Sequence, residues 1–236
     1  MAIQRQVHLR HLPNKKEHIF YTLVLIISSF LNATVASIIY KDVRHLESTY
    51  RPLFPLIHNI LALSGYLFDA VLVLTGINII QSMIHHSHRN RKTLLIMAIF
   101  SALYLALNLL TISYGIYEFK IQSYWLLIIS ACVYLSVNTT FVFWYWYLDY
   151  PTQIRSFHHP ECRREIDFPE MGEGGKRELP SFLDYLYFTV ITSNTLGTPE
   201  NHSPNGQKAK ALLMLHSLTM MILLVIFASR AINTLS

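Results

Sequence analysis

Asp69 asks more of its surroundings than any other residue in this chain. It sits near the middle of an apolar block, Leu53 to Ile84, whose chief interruptions are His58 and Asp69 itself. A carboxylate at bilayer depth costs on the order of 3 kcal/mol unless it is paired, neutral or hydrated. Two roles are open: conduction, gating or proton sensing, or a neutral or hydrogen-bonded packing residue. Its nearest same-face titratable neighbour, His58, is three turns away, so Asn108 or Asn138 from other helices are the candidate partners. Two imidazole clusters follow. His85, His86 and His88 precede Arg89, Arg91 and Lys92. Adjacent histidines at a helix end share a face poorly, so the better reading is a basic turn at the lipid headgroups rather than a Zn²⁺ site. His158, His159, Glu161 and Cys162 are metal-capable but lack a second pair at zinc spacing. No Walker loop, dinucleotide fingerprint or serine elbow occurs, so no cofactor, metal or enzymatic chemistry is expected. No apolar block carries spaced arginines, which excludes a voltage sensor.

The elements that position these residues follow from composition. Of 236 residues, 52% are hydrophobic and only 14% charged, and the mean hydropathy is +0.33. Disorder and a disulfide-stapled module are excluded, as is an ordinary soluble enzyme. The net charge of +5 is scattered through the connections rather than gathered into a stripe, so no nucleic-acid partner is expected. A transmembrane helix needs about 20 apolar residues. Ile19–Tyr40, Leu53–Ile84, Thr93–Tyr117, Ile121–Leu148 and Ala211–Ser229 qualify, which predicts an all-α membrane protein with five spans. The first is too long for a signal peptide's core and lacks a cleavage site, so it reads as a retained helix. Phe143 to Tyr147 form an aromatic belt closing the fourth. Asn32, Asn78, Asn108 and Asn138 read as interhelical hydrogen-bond formers.

One apolar segment is too short to span. Residues 181–194 carry a single charge, and Ser181 with Asp184 three residues on spells a capping box. Fourteen helical residues cover about 21 Å. Gly197, Pro199, Pro204 and Gly206 stop the helix. A short apolar helix followed by irregular backbone between two full spans outlines a re-entrant loop, which survives at membrane depth only when protein buries it or water lines it.

The run Leu186-Tyr187-Phe188-Thr189-Val190-Ile191-Thr192-Ser193-Asn194-Thr195-Leu196-Gly197-Thr198-Pro199-Glu200 resembles the pore helix and selectivity filter of potassium channels, an aromatic-rich helix entering T-V-G-Y-G-D. The C-terminal 95 or so residues also resemble a group of uncharacterised bacterial integral membrane proteins, through Tyr145-Trp146-Tyr147-Leu148-Asp149, Phe168-Pro169-Glu170-Met171, Phe182 to Tyr187, and Ala228 to Asn233. The resemblance implies a three-helix region over 1–120 and a pore-like module over 121–236. The module would comprise outer helix 121–148, loop 149–180, pore helix 181–194, filter-like segment 195–200 and inner helix 208–233. It also implies a homotetramer in the bacterial inner membrane that passes monovalent cations, because four loops close one filter. Thr195, Leu196, Gly197 and Thr198 would line that filter and Glu200 its mouth. His216, Ser217 and Thr219 would face the cavity. Gly197 would supply the one backbone turn that other residues resist. Pro199 locks φ near −65° where the filter needs its second glycine, so the upper carbonyl rings are lost and K⁺ over Na⁺ selectivity should be weak. The rival expectation is a non-conducting accessory or regulatory subunit of the same fold.

Orientation and motif disagree. With five spans, twelve Lys and Arg fall on the N-terminal side of the membrane and five on the other, apart from Lys208 and Lys210 at the start of the last helix. Charge bias therefore favours an internal N-terminus and an internal loop, whereas a potassium-type loop faces outward.

Overall fold

The computed structural model describes residues 15–46, 54–84, 89–115, 123–159, 161–168 and 179–235. Helices dominate: α1 (Lys15–Leu46), α2 (Phe54–Ile84), α3 (Arg89–Gly115), α4 (Ser123–His158), α5 (Phe182–Thr195) and α6 (Gln207–Leu235). Two short strands, β1 (Ile166–Asp167) and β2 (Ser203–Pro204), pair antiparallel with Ile166 opposite Pro204 and Asp167 opposite Ser203. Five helices are long and apolar enough to cross a membrane: Ile19–Lys41, Ala62–Ile80, Arg91–Ser113, Tyr124–Phe157 and Gln207–Ser229. The chain is therefore an all-α integral membrane protein, with α5 the short helix between the last two spans.

One boundary differs from expectation. The fourth helix does not stop at Leu148 but continues for ten residues through Pro151 to His158. Proline's missing N–H costs one backbone bond; beyond it, Thr152 Oγ1 donates to the Asp149 carbonyl at 2.7 Å. Carrying the helix onward puts Asp149, Thr152 and Gln153 on one face, and the site below depends on that.

The chain forms two compact units. One takes 1–23 with 141–221, the other 24–140 with 222–236. In the second unit the core is polar as well as apolar. Asn32 of α1 donates to Ser136 Oγ of α4 at 2.7 Å, and Asn108 of α3 donates to the Asn32 carbonyl and Oδ1 at 2.9 and 3.1 Å. Ser28 meets Thr140 at 2.9 Å and Ser101 at 3.2 Å. These side chains are all buried. Lipid supplies no hydrophobic drive between helices, so such bonds are what select one helix arrangement, each worth about 0.6–1.7 kcal/mol. Asn78 reaches Met97 Sδ across α2 and α3 at 3.8 Å. The asparagines at 32, 78 and 108 thus join helices as expected, while Asn138 bonds the Tyr134 carbonyl of its own helix.

In the first unit the aromatic residues of α4 form the core. Trp146 stacks on Tyr21 of α1 at 4.0 Å, and Tyr145 meets Phe188 of α5 edge-on at 4.9 Å. Phe182, at the start of α5, packs edge-on against the same Tyr21. Rings expected to mark the membrane boundary therefore also form the seat of α5.

Candidate functional site

α5 is fastened at both ends. At its start, Asp184 Oδ2 accepts from the Ser181 backbone N–H at 2.6 Å and from the Ser181 hydroxyl at 2.8 Å, the carboxylate half of the expected capping box. One residue on, the Tyr185 hydroxyl donates to Asp149 Oδ2 of α4 at 2.8 Å. In the last turn, Ser193 Oγ bonds Nε2 of His216 on α6 at 2.9 Å. The other ring nitrogen of His216 lies 3.3 Å from the Tyr145 hydroxyl, and its ring stacks on Phe141 at 4.1 Å. The short helix is thus bolted to α4 near its N-terminus and to α6 near its C-terminus.

Asp149 is the centre of the larger network. It is wholly buried. Oδ2 also accepts from Gln153 Nε2 at 2.9 Å, and Oδ1 accepts from the Ile166 backbone N–H at 2.9 Å and from Thr152 Oγ1 at 3.3 Å. Four donors on two oxygens are what an ionised carboxylate can hold. Gln153 donates in addition to the Ile166 carbonyl at 2.6 Å, and Thr152 accepts from the Glu165 N–H at 3.2 Å. Burial first, and the Asp149 charge second, hold the Tyr185 phenol well above its usual range, so it stays a donor.

The strand pair passes this grip on to α6. The Glu165 carbonyl accepts from the N–H groups of Asn205 and Gly206 at 2.8 and 3.2 Å, and its carboxylate accepts from the Ala209 N–H at 3.2 Å. That carboxylate occupies the N-terminal turn of α6, where free N–H groups and the helix dipole favour it. Asn205 Nδ2 bonds Asp167 Oδ2. A Cβ on Gly206 would overlap the Glu165 carboxylate, which would have to swing away from the Ala209 N–H. Asp149, Gln153 and Glu165 were not singled out from the sequence. The signal was Asp149-x-x-Thr152-Gln153, with i, i+3 and i+4 spacing, legible only if the helix is read through Pro151.

The filter-like residues lie at the other end of α5. Thr195, Leu196 and Glu200 are exposed, Gly197 and Thr198 half-buried. The backbone corrects one expectation. Leu196, not Gly197, takes the left-handed conformation, with φ 54° as the C-cap of α5, and Gly197 has no such angle. The helix terminates one residue earlier than a glycine cap would require, and Leu196 bears a strain of about 1 kcal/mol. Thr195 Oγ1 turns back to the Ile191 carbonyl at 2.8 Å and approaches the Gly197 carbonyl at 3.3 Å. The chain then turns, with the His202 N–H donating to the Pro199 carbonyl at 3.1 Å. A second correction concerns His216. It is fully buried against α4 and α5, so it fastens α5 rather than facing a cavity. Ser217 and Thr219 are half-buried, and Thr219 Oγ1 bonds the Leu215 carbonyl of its own helix.

Asp69 is exposed on α2 and meets neither Asn108, which bonds Asn32, nor Asn138. His85, His86 and His88 lie outside the described residues. His159 Nδ1 lies 3.4 Å from Glu161 Oε1 on the surface, and Cys162 is exposed. Among the described residues no three His, Cys, Asp or Glu side chains converge as metal ligands would. No protein-family model, curated protein or solved structure matches this chain.

Proposed function

We propose that the chain is a pore-loop protein of the bacterial inner membrane that assembles as a homotetramer and passes monovalent cations with weak selectivity between K⁺ and Na⁺. The observation that carries this reading is the two-point fastening of α5. A 14-residue helix held at one end by Asp149 and at the other by His216 ends in a turn bearing the exposed Thr195 and the half-buried Thr198. The carbonyl-rich C-terminal end of a helix is the end that favours cations. Assembly is supported by α6, where only 17% of the span is buried within the protomer and Met214, Leu218 and Val225 stand exposed. Four copies would bring four Thr195–Thr198 turns and four Glu200 carboxylates around one axis.

The second reading is a non-conducting membrane component of the same fold. The left-handed Leu196 and the tight turn at Pro199 to His202 favour it, because they fold the segment back where a filter runs extended. Purified protein in a planar bilayer separates the two. The pore reading expects cation currents with similar K⁺ and Na⁺ permeability, altered when Gly197 is replaced by Leu. A monomer or dimer in detergent, or silence across ion and pH conditions, overturns it. A reporter fused at Ser236, active only outside the cell, would sink the ordinary channel orientation with the loop outward.

A further inference from the structure

The outward face of α2 holds a carboxylate that no described residue pairs. α2 packs on α3 through a buried stripe of Ser64, Leu67, Val71, Thr75 and Asn78. The opposite stripe is Gly65, Tyr66, Asp69, Val73, Gly76 and Ile80, all exposed, with Tyr66 at 72% and Val73 at 63%. These positions recur every three or four residues and so form one helix face. Asp69 is the eighth residue of the 19-residue span Ala62–Ile80, about 10 Å from the nearer end. A side chain of two carbons cannot reach the headgroups from there, as a long lysine stem would. Among the described residues it makes no hydrogen bond and no ion pair. The Tyr104 phenol of α3 is bonded to Ser64. Gly65, one turn before Asp69, and Gly76, two turns after it, have open space where a Cβ would stand, and glycine on a membrane helix lets a second backbone come close.

We propose that this face docks a transmembrane helix of a partner protein that carries a lysine or arginine at mid-span. Charge complementarity selects the occupant. Lipid leaves the carboxylate unpaired, at a cost of about 3 kcal/mol. A second copy of this chain adds a like charge, because every Lys and Arg in its own spans lies within four residues of a span end. A basic helix lying along Gly65 and Gly76 pairs the charge and fills the groove in one step. The surface is independent of whether the chain conducts.

The test uses the full chain, fluorescently labelled at exposed Cys162 and reconstituted in phosphatidylcholine vesicles. The probes are acceptor-labelled Leu-Ala helices of about 21 residues, one with a single central Lys and one with a central Leu. Energy transfer should saturate at about tenfold lower peptide density for the Lys helix. The preference should vanish in Asp69→Asn, which keeps the shape and removes the charge. It should also vanish in Gly65→Leu, which keeps the charge and fills the approach. Equal transfer from both peptides to the unaltered protein overturns the proposal, whatever the variants do. So does a preference that survives Asp69→Asn. Self-association that Asp69→Asn abolishes, with no response to the Lys helix, overturns it in favour of a second copy.

Discussion

Replacing Tyr185 with Phe removes one oxygen and leaves the ring packing of α5 in place. The lost bond is the 2.8 Å donation to Asp149 Oδ2, between two wholly buried residues. A hydrogen bond to a charged acceptor contributes about 1.5–3 kcal/mol. A central loss of about 2 kcal/mol raises the unfolded fraction about 30-fold. Asp149→Ala takes away more. It strands the Ile166 N–H and the Tyr185 hydroxyl in a buried setting, each at about 1–3 kcal/mol, so a total near 4 kcal/mol is expected. In that background Tyr185→Phe should recover about 2 kcal/mol, because it removes the stranded hydroxyl. A double-mutant cycle should therefore return a coupling of about 4 kcal/mol. Reversible unfolding in detergent micelles measures it, and amide exchange at Ile166 offers a local check, since that N–H is protected by the same carboxylate. A coupling below about 0.5 kcal/mol would refute the reasoning. It would mean that the aromatic seat, Tyr145 against Phe188 and Trp146 on Tyr21, and the Ser193–His216 bond hold α5 without the carboxylate.

Three further outcomes follow from features on other elements. Gly206→Ala should lower stability by about 1 kcal/mol by pushing the Glu165 carboxylate off the Ala209 N–H, and it should add little once Glu165 is also Ala; thermal unfolding of the two single variants and the double variant reads this. Leu196→Gly should raise stability by about 1 kcal/mol, because the left-handed cap suits glycine and the leucine is 42% exposed; a loss on denaturant unfolding would mean that the leucine side chain matters more than the backbone. Asn32→Leu should cost about 1 kcal/mol or more, since it removes the donor to Ser136 Oγ and leaves Asn108 only the backbone carbonyl of residue 32; an unchanged midpoint in detergent would make the polar seam dispensable.

The five spans were legible because lipid imposes a length and a composition that periodicity alone does not need to refine. The start of α5 was legible too, through Ser181 and Asp184, since a cap is a local pattern. What escaped the sequence was long-range. Asp149 reads as the polar end of an aromatic belt until a helix running past Pro151 aligns it with Thr152 and Gln153. Its partners at 166 and 185 share no pattern with it at all. His216 was misplaced for a related reason: a histidine on an apolar helix looks like a lone polar group seeking water, and only the fold brings Ser193 and Tyr145 to its two nitrogens. Leu196 shows the limit of a residue-by-residue resemblance. The glycine is present, but the helix ended one position before it.

The Asp149 clamp also fixes an order of assembly. Its partners leave the ribosome in sequence: Ile166 comes 17 residues after it and Tyr185 36 residues after it, followed by Asn205, which closes on Glu165. At roughly 5–20 residues per second, the carboxylate waits about two to seven seconds for the tyrosine. During that interval α4 is already made while its buried charge is only partly answered. The completed chain is then secured in one late step, when the start of α6 closes on Glu165. An arrest of synthesis between Ile166 and Tyr185 therefore leaves α4 with a carboxylate that still lacks its phenol donor.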